Sequence, residues 1–368
     1  EIKECDWSSD VCSSDLQDLC NAFILGLLSS GVDVLDIGLA VSPMLYFAQH
    51  LLDCKAGCMI TASHNENGWT GIKIAKGLSS TLEPDDIIAF RKIVESGDYA
   101  SGAGTYQSVE NVYEEYTKDA LREGPISKPL KVVLAAGNGT GGRFVPDVLR
   151  KLGCEVIELD CTPDWDFKRY NPNPEDLAFL HNISEVTKAN RADVGIGIDG
   201  DGDRIGVVDD QGHEIFSDIL GLLVARAICP QNPGRPVVID VKSTGLYFDD
   251  PVLKASNTPI VLWKTGHSLI KSKMKETQAA LAGEMSGHIF FADRYFGFDD
   301  AIYAGMRVYE IASHAQAPFS SLLEDLPPSV STPEIRVDCE EELKFQLVEE
   351  TKKRIAGHYP KTRSEEHT

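Results

Sequence analysis

The sequence predicts an α/β protein of three consecutive domains with related topology and mixed sheets, followed by the opening of a fourth, α+β domain. Short Val/Ile-rich runs alternate with helical stretches, as at Val32 to Ile37, Lys131 to Ala135, Glu155 to Asp160, Pro236 to Val241 and Pro259 to Trp263. A unit of strand, polar loop and strand recurs three times: GCMITASHNENGWTGIKIA, VGIGIDGDGDRIGVV and ALAGEMSGHIFF. The chain of 368 residues also exceeds the usual size of one domain.

Turn-rich joints divide the chain. GPISKP at 124–129, the polar turn at Asp209 to His213 and DLPPSVSTP at 325–333 place the domains at 17–125, 126–212 and 213–329, with a remnant of the fourth at 330–362. Residues 1–16, EIKECDWSSDVCSSDL, lack periodicity and resemble a translated sequencing adapter. Residues 363–368 resemble its complement, and both stretches are set aside. The first helix is expected from Gln17, and the chain between the adapter-like ends is expected to be cut at both ends.

Charge and cysteine usage narrow the function. A formal net charge of -22 argues against nucleic acid or an anionic membrane as partner, while leaving room for a local basic pocket. Two of nine cysteines, Cys5 and Cys12, lie in the adapter-like start; Cys54 and Cys58 have no second pair at zinc spacing. Buried free thiols in a reducing cytoplasm are expected. No apolar stretch reaches membrane-spanning length.

The second unit carries the strongest chemical signal. Asp199, Asp201 and Asp203 alternate with Gly200 and Gly202 between two apolar runs, Val194 to Ile198 and Ile205 to Val208. Alternation in an extended segment would project all three carboxylates to one side, where they repel unless a cation sits among them. Oxygen ligands without His or Cys suit a hard ion such as Mg²⁺. A calcium-binding helix-loop-helix loop is excluded: its sixth position requires Gly and here is Arg204, although Asp210 falls at the twelfth.

The other loops are read beside it. Ser63 follows a strand in Thr61-Ala62-Ser63-His64-Asn65 and needs activation to act as a nucleophile. No G-x-S-x-G elbow is present, and an extended backbone would turn His64 away from Ser63, so a hydrolase triad is not expected. In the third unit Glu284 and Ser286, at i and i+2, would share a face. Asp299 and Asp300 are expected to cap the helix starting near Ala301. Gly137 to Gly142 satisfies G-x-G-x-x-G after a strand, before a helix near Phe144, with Asp160 at a ribose-ligand spacing; this leaves an NAD(P)-binding oxidoreductase as an alternative of another class.

Taken in order, TASHN with Gly71-Ile72-Lys73, DGDGDR, Lys264-Thr265-Gly266-His267 and Gly283-Glu284-Met285-Ser286-Gly287-His288 resemble the α-D-phosphohexomutase family, in its phosphomannomutase/phosphoglucomutase branch, across residues 17–362. The resemblance implies a mutase interconverting hexose 6-phosphate and hexose 1-phosphate, of mannose or glucose, through a phosphoserine at Ser63 and a hexose 1,6-bisphosphate, which also serves as activator. It implies Mg²⁺ held by Asp199, Asp201, Asp203 and an oxygen on Ser63. His64, Lys73 and Arg204 would act at the phosphate, Lys73 stabilising charge or moving a proton. Glu284 and Ser286 would bind sugar hydroxyls, with His267, His288 and Lys242 as further substrate contacts. A phosphoglucosamine mutase, a sugar-phosphate phosphatase and a non-catalytic sugar-phosphate binder are the remaining alternatives, and a monomer or weak dimer is expected. The sequence departs from the family at Glu66, where Pro is usual, and at Thr70, where Asn is usual. The family's first strand and the phosphate loop of its fourth domain have no counterpart here, so this chain alone is expected to bind Mg²⁺ and to show negligible turnover.

Overall fold

The computed structural model describes residues 15–65, 68–122, 124–164, 167, 169–327, 339–340 and 343–358. Glu66, residues 1–14 and 363–368, and most of the turn-rich run at 325–333 lie outside the described residues.

The first segment runs α1 (Asp15–Ser29), β1 (Val34–Asp36), α2 (Ser42–Leu51), β2 (Ala56–Thr61), β3 (Gly71–Lys76), β4 (Ser80–Thr81), α3 (Pro84–Ser96), β5 (Tyr106–Ser108) and α4 (Val112–Ala120). The opening helix starts before Gln17. Leu16, the last residue of the stretch set aside, is buried against Ile60, Ala62 and Phe167. β1 pairs parallel with β5, while β2, β3 and β4 form a separate antiparallel sheet.

The second segment contains β6 (Lys131–Ala135), α5 (Val145–Leu152), β7 (Glu155–Leu159), α6 (Leu177–Asn190), β8 (Val194–Ile198), β9 (Ile205–Asp209) and β10 (Glu214–Ile215). The third contains α7 (Ser217–Ile228), β11 (Val237–Asp240), α8 (Pro251–Ala255), β12 (Ile260–Trp263), α9 (His267–Thr277), β13 (Leu281–Gly283), β14 (Ile289–Phe291) and α10 (Ala301–His314). Their sheets repeat one plan. β7-β6-β8-β9 and β12-β11-β13-β14 each join three parallel strands to a final antiparallel one, with β10 added to the edge of the first. A last helix, α11 (Lys344–His358), follows, and none of its described side chains is buried.

Sequence accounts for the central strands. Every residue of β8 and β9 is buried, which matches runs apolar on both faces rather than alternating. Burying each Val or Ile there contributes about 1.5–3 kcal/mol relative to exposure. Joining two parallel strands requires a crossover, whereas the antiparallel pairs β2/β3, β8/β9 and β13/β14 connect directly. Those three hairpins are the recurring units of the sequence. Their connecting loops meet.

Candidate active site

Ser63 stands just beyond β2 with φ 54°, a left-handed conformation uncommon for serine. The Ser63 backbone N–H donates to Thr61 Oγ1 at 2.9 Å, and Asn65 donates to the Ala62 carbonyl at 2.9 Å, so the turn is held from both sides. This bend reverses the expectation for His64. The chain is not extended at Ser63, and His64 Nδ1 lies 3.2 Å from Ser63 Oγ rather than turned away.

The Ser63 hydroxyl also donates to Asp199 Oδ2 at 3.3 Å, joining the first hairpin loop to the second. Gly200 makes this approach possible: a Cβ there would lie 2.2 Å from the Ser63 carbonyl oxygen. The carboxylates of Asp199, Asp201 and Asp203 converge as expected, with ligand oxygens within 4.8 Å of one another, but not by strand alternation. Residues 199–203 form a turn in which Asp199 accepts from the backbone N–H groups of Asp203 at 3.0 Å and Arg204 at 3.1 Å.

All three acids are buried. Burial and the neighbouring Asp203 and Asp201 hold the Asp199 carboxyl well above the usual range. Burial and Asp201 push Asp203 up to about 6. Asp201 escapes this: burial is outweighed by Lys73, Ser42 and Ser63, and its pKa is lowered. Lys73, from β3, places its ammonium against Asp201 Oδ2 and 2.5 Å from Asp203 Oδ2. Burial opposes that charge, yet the two carboxylates keep the Lys73 pKa well above that of a free lysine.

The ensemble fits a hard cation. Asp201 Oδ1 and Asp203 Oδ1 are buried without a hydrogen-bond partner, and the donors are oxygens only. Sequence reasoning missed Ser42, at the start of α2, whose hydroxyl donates to Asp201 Oδ2 at 2.5 Å and whose N–H donates to the Asp201 carbonyl at 2.9 Å. Nothing local in the sequence marks it.

Arg204 is buried beside the turn. Its Nε donates to Asp199 Oδ2 at 3.1 Å and Nη1 to Glu175 Oε2 at 3.3 Å, while Nη2 has no partner among the described residues. Burial pushes this guanidinium down to about 10 against the pull of Glu284. The side chain is therefore anchored on two acids and retains one donor for an oxyanion.

The third hairpin loop reaches the same place through an antiparallel bridge between Arg204 and His288. Residues 285–287 form a turn, so Glu284 and Ser286 do not share a strand face. Glu284 is 2% exposed and accepts from the Gly266 N–H at 2.5 Å, whereas Ser286 is half-buried on the turn. Burial pushes Glu284 up to about 8. Lys242, exposed at the end of β11, is close enough to oppose that shift.

His267 and His288 stack with ring centroids 5.4 Å apart, and each Nδ1 faces Asp299 Oδ2, at 3.3 Å and 3.2 Å. Lys271 Nζ sits 2.9 Å from Asp299 Oδ1 and 4.0 Å from the centroid of Tyr46. Asp299 therefore departs from the capping role expected for it. Asp300 alone caps α10, accepting from the Tyr303 N–H at 2.9 Å. The doubled acid, where one cap suffices, was the available signal.

The dinucleotide reading meets a different geometry. Thr140 N–H donates to the Gly200 carbonyl at 3.2 Å, and a Cβ on Gly139 would lie 2.8 Å from Gly200 Cα, so this Gly-rich turn packs on the acidic loop rather than offering its backbone to a pyrophosphate. Asp160 is engaged by the Tyr170 hydroxyl and by Arg169.

Three mixed α/β segments whose hairpin loops bring one serine, three acids and a buried glutamate together define the α-D-phosphohexomutase class. The chain belongs to the phosphoglucomutase/phosphomannomutase family: it matches α/β/α domain I over residues 15–100, domain II over 109–212 and domain III over 216–330. It is 41% identical over 332 residues to a phosphomannomutase/phosphoglucomutase of Pseudomonas aeruginosa, covering 90% of this chain and 71% of that protein. A probable phosphoglucosamine mutase of Pyrococcus horikoshii is more distant, 32% identical over 335 residues, covering 90% of this chain and 72% of that protein. The crystal structure of a Burkholderia thailandensis phosphoglucomutase/phosphomannomutase family protein superposes with TM-score 0.81 at 36% identity, covering 86% of this chain and 70% of that one. No helix among the described residues is long and apolar enough to cross a membrane.

Proposed function

We propose that the protein is a phosphohexomutase that interconverts hexose 6-phosphate and hexose 1-phosphate, with mannose and glucose as the sugars, using a phosphoryl group carried on Ser63. The observation that carries this reading is the hydroxyl of Ser63 lying 3.3 Å from Asp199, inside a turn that aims three carboxylates at one point. Asp199, Asp201, Asp203 and an oxygen of the phosphorylated serine would hold Mg²⁺, which when bound would supply positive charge beside the group being transferred.

The protein's own groups supply the remaining demands. Phospho-Ser63 donates to the free sugar hydroxyl: the Ser63 O–P bond breaks, an O–P bond to the sugar forms, and the proton lost by the sugar hydroxyl is balanced by one gained at Ser63 Oγ, which leaves as a neutral hydroxyl. The resulting hexose 1,6-bisphosphate turns over, and its other phosphate reloads Ser63 by the reverse exchange. His64 Nδ1, at 3.2 Å, is placed to take the proton from Ser63 Oγ as that bond re-forms. Of the two roles expected for Lys73, the structure favours charge stabilisation, because the acids that surround it keep it protonated. Arg204 holds Asp199 with one edge and directs its remaining N–H toward phosphate. Glu284 and Ser286 bind sugar hydroxyls, with His267, His288 and Lys242 at the rim. Restriction of motion by these contacts brings the reacting oxygen to attack distance in both sugar orientations.

Incubation with glucose 1,6-bisphosphate and Mg²⁺, followed by intact-mass analysis, tests the proposal. One phosphoryl group should appear on the protein and map to Ser63, and Ser63→Ala should acquire none. Equal labelling of Ser63→Ala would refute the assignment.

A further inference from the structure

Asp240 closes β11, an inner strand of the third sheet, and is 0% exposed. A carboxylate so placed is costly unless its oxygens are bonded. Both are: Oδ1 accepts from the Ser243 hydroxyl at 2.5 Å and Oδ2 from the Thr265 hydroxyl at 3.0 Å. The sheet plan itself demands no acid here. β6, the corresponding inner strand of the second sheet, runs out through Ala135 and Ala136, both fully buried, into Gly137.

Strand order gives the acid its reach. β11 lies between β12 and β13, with Asp240 level with Trp263 of β12 and Ile239 level with Gly283 of β13. The loop after β12 carries Lys264-Thr265-Gly266-His267, the turn after β13 begins at Glu284, and β11 itself leads into Lys242. Asp240 therefore stands where His267, Glu284 and Lys242 leave the sheet. Through Thr265 it holds the loop whose Gly266 N–H donates to Glu284 Oε1 at 2.5 Å and whose Gly266 carbonyl accepts from the Ile270 N–H at 2.9 Å, at the start of α9. Through Ser243 it holds the turn that carries Lys242, and the Asp240 carbonyl accepts from the Ser243 N–H at 3.1 Å as well.

We propose that Asp240 is a positioning residue of the sugar site: by tying the Thr265–Gly266 loop to the Lys242–Ser243 turn, it fixes the N–H that aims Glu284. This role rests on the mutase reading, and Asp240 acts through Thr265 and Ser243 rather than on the sugar. A mutase binds its sugar in two opposite orientations, so the groups that bind hydroxyls must keep one arrangement while the ligand reverses. Glu284 Oε2 has no partner among the described residues, which leaves the Gly266 N–H to hold this side chain. Freed from that anchor, Glu284 loses its grip on the sugar while phosphate binding is spared.

Thr265→Val removes the hydroxyl at nearly constant shape, and Thr265→Ser keeps it. In nitrogen-15 spectra of the ligand-free chain, the Gly266 amide should move upfield and exchange about tenfold faster in Thr265→Val and in Asp240→Ala, and should stay at its wild-type position in Thr265→Ser. Titration with glucose 1-phosphate should show affinity reduced about tenfold in Thr265→Val, near wild type in Thr265→Ser, with inorganic phosphate bound equally by all three. Glu284→Ala combined with Thr265→Val should bind glucose 1-phosphate no more weakly than Glu284→Ala alone, because both changes act on one contact. A Gly266 amide unmoved in Thr265→Val, a serine that fails to preserve affinity, or additive losses in the double variant would each overturn the proposal. Failure of the mutase reading has a separate signature: wild type would take no phosphoryl group on Ser63 from glucose 1,6-bisphosphate, whatever the Gly266 amide does.

Discussion

Replacing Glu284 by Gln should change the pH dependence of stability more than any other single substitution in the sugar loop. Glu284 is 2% exposed; Oε1 accepts from Gly266 at 2.5 Å, and Oε2 has no partner among the described residues. Burial is the main cause of its pKa near 8, helped by Asp240 and Asp299 and opposed by the Gly266 hydrogen bond and Lys242. Because the folded-state pKa is raised, the native protein binds the proton more tightly than the unfolded chain. Its stabilising contribution is complete below 4.5, the ordinary value, and is lost as pH rises through 8. A shift of 8 − 4.5 = 3.5 units, at about 1.36 kcal/mol each, sets an upper bound of about 5 kcal/mol. Gln keeps an acceptor for Gly266 and removes the titration. Urea unfolding of both proteins at about pH 5 and about pH 9 should therefore show the variant gaining on wild type by at least ~2 kcal/mol at the higher pH. Parallel stabilities across that window would refute the buried-acid argument. The same variant should accept a phosphoryl group on Ser63 normally, because its change lies at the sugar and not at the phosphate.

Asp201→Asn removes one charge at nearly constant shape and should lower kcat by about a hundredfold or more in steady-state mutase assays on a full-length homologue carrying the equivalent change. Gly200→Ala forces a Cβ to within 2.2 Å of the Ser63 carbonyl, so the two loops must separate; expect about 1–3 kcal/mol of lost stability in urea and slower Ser63 phosphorylation by mass spectrometry. Lys73→Met leaves Asp201 and Asp203 without their counter-ion and should cost about 3–5 kcal/mol in the absence of metal. Added Mg²⁺ should then raise the melting temperature of Lys73→Met more than that of wild type, since the ion replaces the missing positive charge.

Much of this protein was legible in one dimension. Runs such as Val194 to Ile198 are apolar at every position, so they announce buried strands; the D-G-D-G-D run concentrates charge that only a cation relieves. The repeated strand-loop-strand pattern also pointed to the three hairpins that carry the site. Folding decided what those local patterns do to one another. The left-handed backbone at Ser63, set by the turn that Asn65 and Thr61 hold, brought His64 onto the hydroxyl, and no periodicity encodes such a reversal. Ser42 reaches Asp201 across 159 residues, and Asp299 leaves its neighbour Asp300 to cap the helix while it gathers His267, His288 and Lys271. Local sequence specifies elements because propensity and periodicity act over a few residues. Partners for a buried charge come from whichever elements pack beside it, and that is a property of the tertiary fold alone.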